Sequence, residues 1–128
     1  MIGLNPSTAD DQLDDPTNRR LIGLLDAESF KGYWLVNLIP ESTPYPKKLG
    51  TQTRRLSQRN QAVIQETATE ADAVIVAWGA GAGRCPFRRR LVGGLVDPLC
   101  FGVTRAGEPK HPLYLPTDTY LRPFPGWR

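Results

Sequence analysis

Four short motifs carry the side chains that could do chemistry: Gly3-Leu4-Asn5-Pro6-Ser7, Asn37-Leu38-Ile39-Pro40, Trp78-Gly79 and Lys110-His111-Pro112-Leu113-Tyr114. Two amides, one indole and the single histidine of the chain make up most of their polar and aromatic content. A carboxamide offers a donor and an acceptor together, which suits it to reading the edge of a nucleobase. Each residue also has a plainer role open to it. Asn5 before Pro6 can be a turn residue bonding its own backbone, and Asn37 can be a loop-fixing amide. Trp78 can be core packing, and His111 a buried ring tied to a carbonyl. What turns the reading toward binding is where the four motifs fall in the fold.

Other chemistries fit less well. Gly79-Ala80-Gly81-Ala82-Gly83 is glycine-rich but lacks the G-x-G-x-x-G spacing of a dinucleotide site, and no phosphate-binding lysine follows it. It reads as a tight turn that brings backbone amides near the site. Asp10, Asp11, Asp14 and Asp15 could hold Mg²⁺ with a substrate phosphate, yet helix capping and solvation account for them more simply. Ser7 with His111 suggests a hydrolase, but a nucleophile elbow needs G-x-S-x-G, and Ser7 follows Pro6 without those glycines. Cys85 and Cys100 are the only cysteines, too few for a disulfide scaffold or an iron–sulfur cluster. Free thiols in a reducing compartment, and no cofactor, are therefore expected.

The elements that must hold these motifs alternate between helix and strand. Asp15 followed by Pro16 reads as an N-cap and a first helical residue, and Leu21, Leu24 and Leu25 then repeat at helical spacing. Residues 33–39 (YWLVNLI), closed by Pro40, read as a buried strand, and Pro44, Pro46 and Gly50 make 41–53 a loop. A polar helix follows over about 54–70. Residues 73–78 (AVIVAW) form a continuous apolar run of the kind found in parallel sheets covered on both faces. A helix over 86–96 and a strand over 99–103 (LCFGV) complete the pattern. Such alternation predicts an α/β fold: one three-layer domain over 1–128, with a short, mostly parallel sheet flanked by helices. In such a sheet ligands bind outside the carboxyl ends of the strands, which is where all four motifs lie.

The first strand reads as truncated, because residues 1–7 give its last step and the turn after it. A late start site, a truncated copy, or a partner that supplies the missing strand, including a second copy in a homo-oligomer, would each account for this. No apolar run approaches the ~20 residues of a membrane span and no signal peptide is legible, so a cytoplasmic protein without a membrane partner is expected.

The chain holds 16 Lys and Arg against 13 Asp and Glu, a net charge of +3 that permits a polyanionic partner without requiring one. Arg54, Arg55 and Arg59 form one basic group, and Arg84, Arg88, Arg89 and Arg90 another. Cations in the first turn of the 54–70 helix, with Glu66 and Glu70 toward its end, reverse what the helix dipole favours. Solvated helix faces are the plainer reading of both groups; local stability does not explain the reversed charges, which lends some weight to an anionic ligand near Arg54 and Arg55.

The segments GLNPSTAD, DDPTNRR, LVNLIP, VAWG and GEPKHPLYLP, in that order, resemble a family of bacterial and phage proteins known as a domain of unknown function, over nearly the whole chain. In fold the same segments are similar to uracil-DNA glycosylases, whose first motif is GxNPG or a relative, whose second strand ends in Asn, and whose last motif begins HP. The resemblance implies that Asn5 positions the attacking water and that Asn37 reads a flipped base. It implies that His111 stabilises charge on the departing pyrimidine, and that Leu113 and Tyr114 lie in the loop probing the minor groove. Asn5 and His111 would then be the catalytic pair. Gly3, Leu4, Pro6, Ser7, Asn37, Trp78 and Gly79 would line the base pocket, and Arg54, Arg55, Arg84 and Arg88 would contact DNA phosphates. The partner implied is DNA, or a nucleobase or nucleotide. Two departures fall at the reacting end: Ser7 replaces a glycine, and HPLY stands where glycosylases more often have HPS.

Overall fold

Alternation along one short apolar segment organises the molecule. In extended backbone, successive side chains point to opposite faces. Val74, Val76 and Trp78 accordingly enter one core cluster, with Ile64 and Leu91, while Ile75 and Ala77 enter a second, with Leu21, Leu24 and Leu25. Both faces of the segment are thus covered, and its polar backbone is satisfied within a sheet. The computed structural model describes residues 1–4, 16–39, 53–113 and 115–127, without the side chains of 16–18, 53–57 and 84.

Strand β1 (Ile2–Gly3) pairs in parallel with β2 (Val36–Asn37), in the register Ile2↔Val36 and Gly3↔Asn37. On its other side Ile2 bridges Val76, also in parallel, and Ile75 bridges Leu99 of β3 (Leu99–Cys100). An antiparallel strand, β4 (Arg122–Pro123), closes that edge. The order across the sheet is therefore β2, β1, residues 75–76, β3, β4. Between β1 and 75–76 the chain reverses its direction of travel across the sheet, the kind of point at which open α/β sheets form a binding crevice at the carboxyl ends of the strands.

Helix α1 (Pro16–Ala27) begins at Pro16 with φ suited to a first turn, and buries Leu21, Leu24 and Leu25. It ends in a Schellman turn: Phe30 N–H donates to the Leu25 carbonyl (3.0 Å) and Ser29 N–H to the Asp26 carbonyl (3.0 Å). Ser29 takes the left-handed position at φ 67°, where glycine is more usual. Helix α2 (Thr53–Glu70) is polar, and fully buries Ile64 on the face opposite α1. Burial of a large aliphatic side chain of this kind contributes about 1.5–3 kcal/mol. A 3₁₀ turn (Ala80–Arg84) and helix α3 (Phe87–Gly93) lead to β3, with Leu91 of α3 in the same cluster as Ile64. The result is a mixed α/β domain with helices on both sheet faces. Among the described residues, no helix is long and apolar enough to cross a membrane.

Several expected bounds change. Of the strand expected at 33–39, the ladder takes only 36–37, extended by Leu38 N–H to the Gly3 carbonyl (2.9 Å) and Ile39 N–H to the Leu4 carbonyl (2.7 Å). Trp34 and Leu35 stay 57% and 47% exposed, so an apolar run does not mark a fully buried strand here. The helix expected at 86–96 stops at Gly93, where two successive glycines give it no support. Beyond β3, Gly102 at φ 122° turns the chain, and Val103 pairs with Pro109 in a second hairpin-like bridge. β4 had no counterpart in the sequence reading. Its Arg122-Pro123 pair lacks strand formers, and proline is tolerated there because β4 is an edge.

Candidate functional site

The carboxyl end of the sheet brings together residues 3–4, 37, 79–81 and 109–111. A glycine marks each close approach. A Cβ on Gly3 would stand 2.6 Å from Asn37 Oδ1, so the missing side chain is what lets the Asn37 amide lie across β1. A Cβ on Gly81 would stand 3.1 Å from Leu4 Cδ2. At Gly79, φ 77° and ψ −169° lie in a region essentially reserved for glycine, and a Cβ would meet His111 Cβ at 3.3 Å. Gly79 N–H also donates to the Pro109 carbonyl (2.9 Å), locking the end of 73–78 to the loop that carries His111.

The polar groups of the site are fixed by neighbours. Asn60 of α2 donates its amide to the Asn37 carbonyl and, at 3.4 Å, to the Leu38 carbonyl, so the end of β2 is tied to α2 where its own ladder stops. His111 is half-buried, and its Nδ1 accepts from Leu113 N–H at 3.2 Å. When the ring is neutral, this acceptor role puts its proton on Nε2. An amide with both donor and acceptor and an imidazole therefore stand at the carboxyl ends of neighbouring strands.

Beneath this crevice lies a buried charge cluster. Glu108, 6% exposed, accepts from Trp78 Nε1 (2.7 Å), from Trp127 Nε1 (3.2 Å) and from the Arg88 guanidinium, whose Nε stands 3.0 Å from Oε1 and 3.2 Å from Oε2. Arg88 Nη2 closes the ion pair, and Arg88 Nη1 donates to the Cys85 carbonyl (3.2 Å). The Trp78 and Trp127 rings stack at 6.2 Å and 12°, and the Arg88 and Arg89 guanidinium groups lie 5.3 and 5.1 Å from the Trp127 ring centroid. Burial raises the Glu108 pKa, but the donors from Arg88 and Trp78, the Arg88 charge and the Trp127 donor together outweigh it and hold the carboxyl below its ordinary value.

Two expected site residues take different places. Arg88, expected to contact DNA, is 8% exposed and spends its donors on Glu108 and Cys85, so it faces the core. Trp78, expected to line the pocket, is 1% exposed and already stacked on Trp127, which leaves no ring face for a base. Asn5, Pro6, Ser7 and Tyr114 lie outside the described residues, as do Asp10, Asp11, Asp14 and Asp15. Arg54 and Arg55 fall in the first turn of α2 and Arg84 ends the 3₁₀ turn; their side chains are not among those described. Leu113 is half-buried beside His111. Cys85 and Cys100 are buried free thiols, and burial pushes both up in pKa. Asn60, Glu108 and Trp127 were missed from sequence. Glu108 carried one signal, a lone acid three residues before the histidine.

A cavity of about 470 Å³ opens at the opposite end of the strands, between Met1, Tyr33, Trp34, Ala73 and Val74, away from His111. Among the described residues, no group of three or more His, Cys, Asp or Glu is placed to hold a metal ion.

Residues 1–113 match a family model described as protein of unknown function (DUF1643). No curated protein and no solved structure matches the chain.

Proposed function

The chain belongs to this family, whose description assigns no activity, and we propose that it is a nucleobase-recognising protein of the uracil-DNA glycosylase type that excises a base from DNA. The observation that carries this reading is the placement of Asn37 against Gly3 and of His111 against Gly79, at the carboxyl ends of two neighbouring parallel strands. Asn37 would read the edge of a flipped base, its carbonyl steadied by Asn60. Cleavage of the bond between base and sugar develops negative charge on the base, and the Nε2 donor of His111 would meet it there. Asn5 would position the attacking water. Leu113 and Tyr114 would fill the space the base leaves, and Arg54, Arg55 and Arg84 would contact phosphates.

The test is incubation of the purified chain, with EDTA and separately with Mg²⁺, on labelled oligonucleotides carrying uracil, damaged bases or phage-type modified bases, followed by alkali. Alkali-dependent cleavage that survives EDTA and disappears in Asn5→Ala is the expected result, with His111→Ala slower by about 10²–10³. Three phosphate contacts would give a slope of roughly −2.7 for the logarithm of DNA affinity against that of salt. Salt-sensitive binding without cleavage would leave a recognition module in the same pocket, and the absence of both would overturn the reading.

A further inference from the structure

The loop that carries His111 has little regular structure of its own, yet it reaches the crevice in one defined position. Backbone pairing with residues 102–104 holds its base (Lys110 N–H to the Gly102 carbonyl, 2.9 Å; Thr104 N–H to the Glu108 carbonyl, 2.7 Å), and two links fasten it to residues 78–79. One is the Gly79 N–H bond to the Pro109 carbonyl, and the other is the Glu108 carboxylate, which takes the indole N–H of Trp78 immediately before Gly79. Glu108 and Pro109 are adjacent, as are Trp78 and Gly79, so the two bonds fasten the same pair of segments side by side. Thr104 Oγ1 further accepts from Glu108 N–H at 3.2 Å. The remaining donors to the Glu108 carboxylate come from elsewhere: Arg88 from α3, and Trp127 from a segment beyond the residues that the family model matches.

We propose that Glu108 is the positioning residue of the site, a buried carboxylate that clamps the Trp78-Gly79 strand end to the Glu108–His111 loop and thereby sets where the His111 imidazole stands. Residues 122–127 complete the clamp: β4 pairs with β3, Phe124 packs edge-on to Trp127 at 5.2 Å and 80°, and Trp127 supplies the third donor side chain. A core ion pair that served stability alone would have no need to join the two segments that meet at His111. The role of the imidazole rests on the base-excision reading, whereas its placement by Glu108 does not.

Amide hydrogen exchange and imidazole ¹⁵N shifts separate the two questions, since neither needs a ligand, and a single histidine makes the ring signals unambiguous. In Glu108→Gln the Gly79 amide should exchange at least 10-fold faster and the His111 ring shifts should move. The Val76 and Leu99 amides, bonded within the sheet, should keep their protection. Trp127→Phe, which removes one donor and retains an aromatic ring, should show the same pattern at about 3-fold, and it decides the matter if Glu108→Gln does not fold. Parallel loss of protection at Gly79, Val76 and Leu99, or an unmoved Gly79 amide and His111 ring, would overturn the proposal.

Discussion

Replacing Arg88 by methionine tests the physical account of the buried cluster most directly. The substitution keeps much of the apolar stem and removes the cation, leaving Glu108 at 6% exposure with two indole donors and no opposing charge. Breaking one side of a buried ion pair costs about 3–5 kcal/mol, because the charge left behind is neither solvated nor neutralised. Unfolding entropy for 128 residues is about 0.27 kcal/mol per degree near 60 °C, so the expected fall in Tm is roughly 11–18 °C. A domain of this kind has about 5–15 kcal/mol to lose, so the variant should fold but be marginal. Far-UV circular dichroism on heating measures the change. The charge-free pair Arg88→Met with Glu108→Gln should recover at least half of the loss, since no ion remains buried.

The sign of the pH dependence follows from the same cluster. In the native protein the Glu108 pKa lies below its unfolded value, so its contribution is present above the unfolded pKa of about 4.3 and is lost as pH falls through the folded value. Without Arg88, burial is opposed only by the Trp78 and Trp127 donors, so the folded pKa should rise from its native position. The deficit of Arg88→Met should then be largest at neutral pH and shrink as the solution is acidified toward pH 4. A single substitution costing under about 1 kcal/mol, a double variant no better than the single, or a deficit constant with pH would refute the reasoning.

Two further substitutions probe the crevice through its glycines. Gly3→Ala puts a methyl 2.6 Å from Asn37 Oδ1, the mobile end of a side chain, so the amide should rotate away with less than about 1 kcal/mol lost in stability; a denaturation midpoint near that of the native protein, with base or oligonucleotide affinity reduced about 10-fold, is the expected pair of results. Gly79→Ala forces a side chain into φ 77°, and should cost about 1–3 kcal/mol on urea denaturation. It should also move the ring signals of His111, which Gly3→Ala should leave in place.

Much of the architecture is legible in the residues. The switch between helical spacing at Leu21, Leu24 and Leu25 and the short run at 73–78, rich in β-branched residues and closed by Gly79, sets the α/β alternation. The Pro16 start is likewise a local matter of φ, whereas the end of α3 at Gly93 falls short of the expected Val96. The same reasoning places Asn37, Gly79 and His111 at strand ends. It fails for β4, whose sequence carries no strand signal, and for the length of β2, where exposure of Trp34 and Leu35 depends on what lies beside them.

The buried cluster was beyond such reading. Arg88 sits in a run of three arginines, and nothing local distinguishes it from Arg89 or Arg90, which stay exposed. Its burial is decided by Glu108, 20 residues away, together with Trp78 and Trp127. Sequence by itself determined which segments could be helix or strand and which side chains could bond to a base, since those are properties of single residues and their near neighbours. Only tertiary structure decided which arginine gives up its water, which tryptophan packs and which amide crosses a glycine, because desolvation and close approach belong to groups that the chain brings together from a distance.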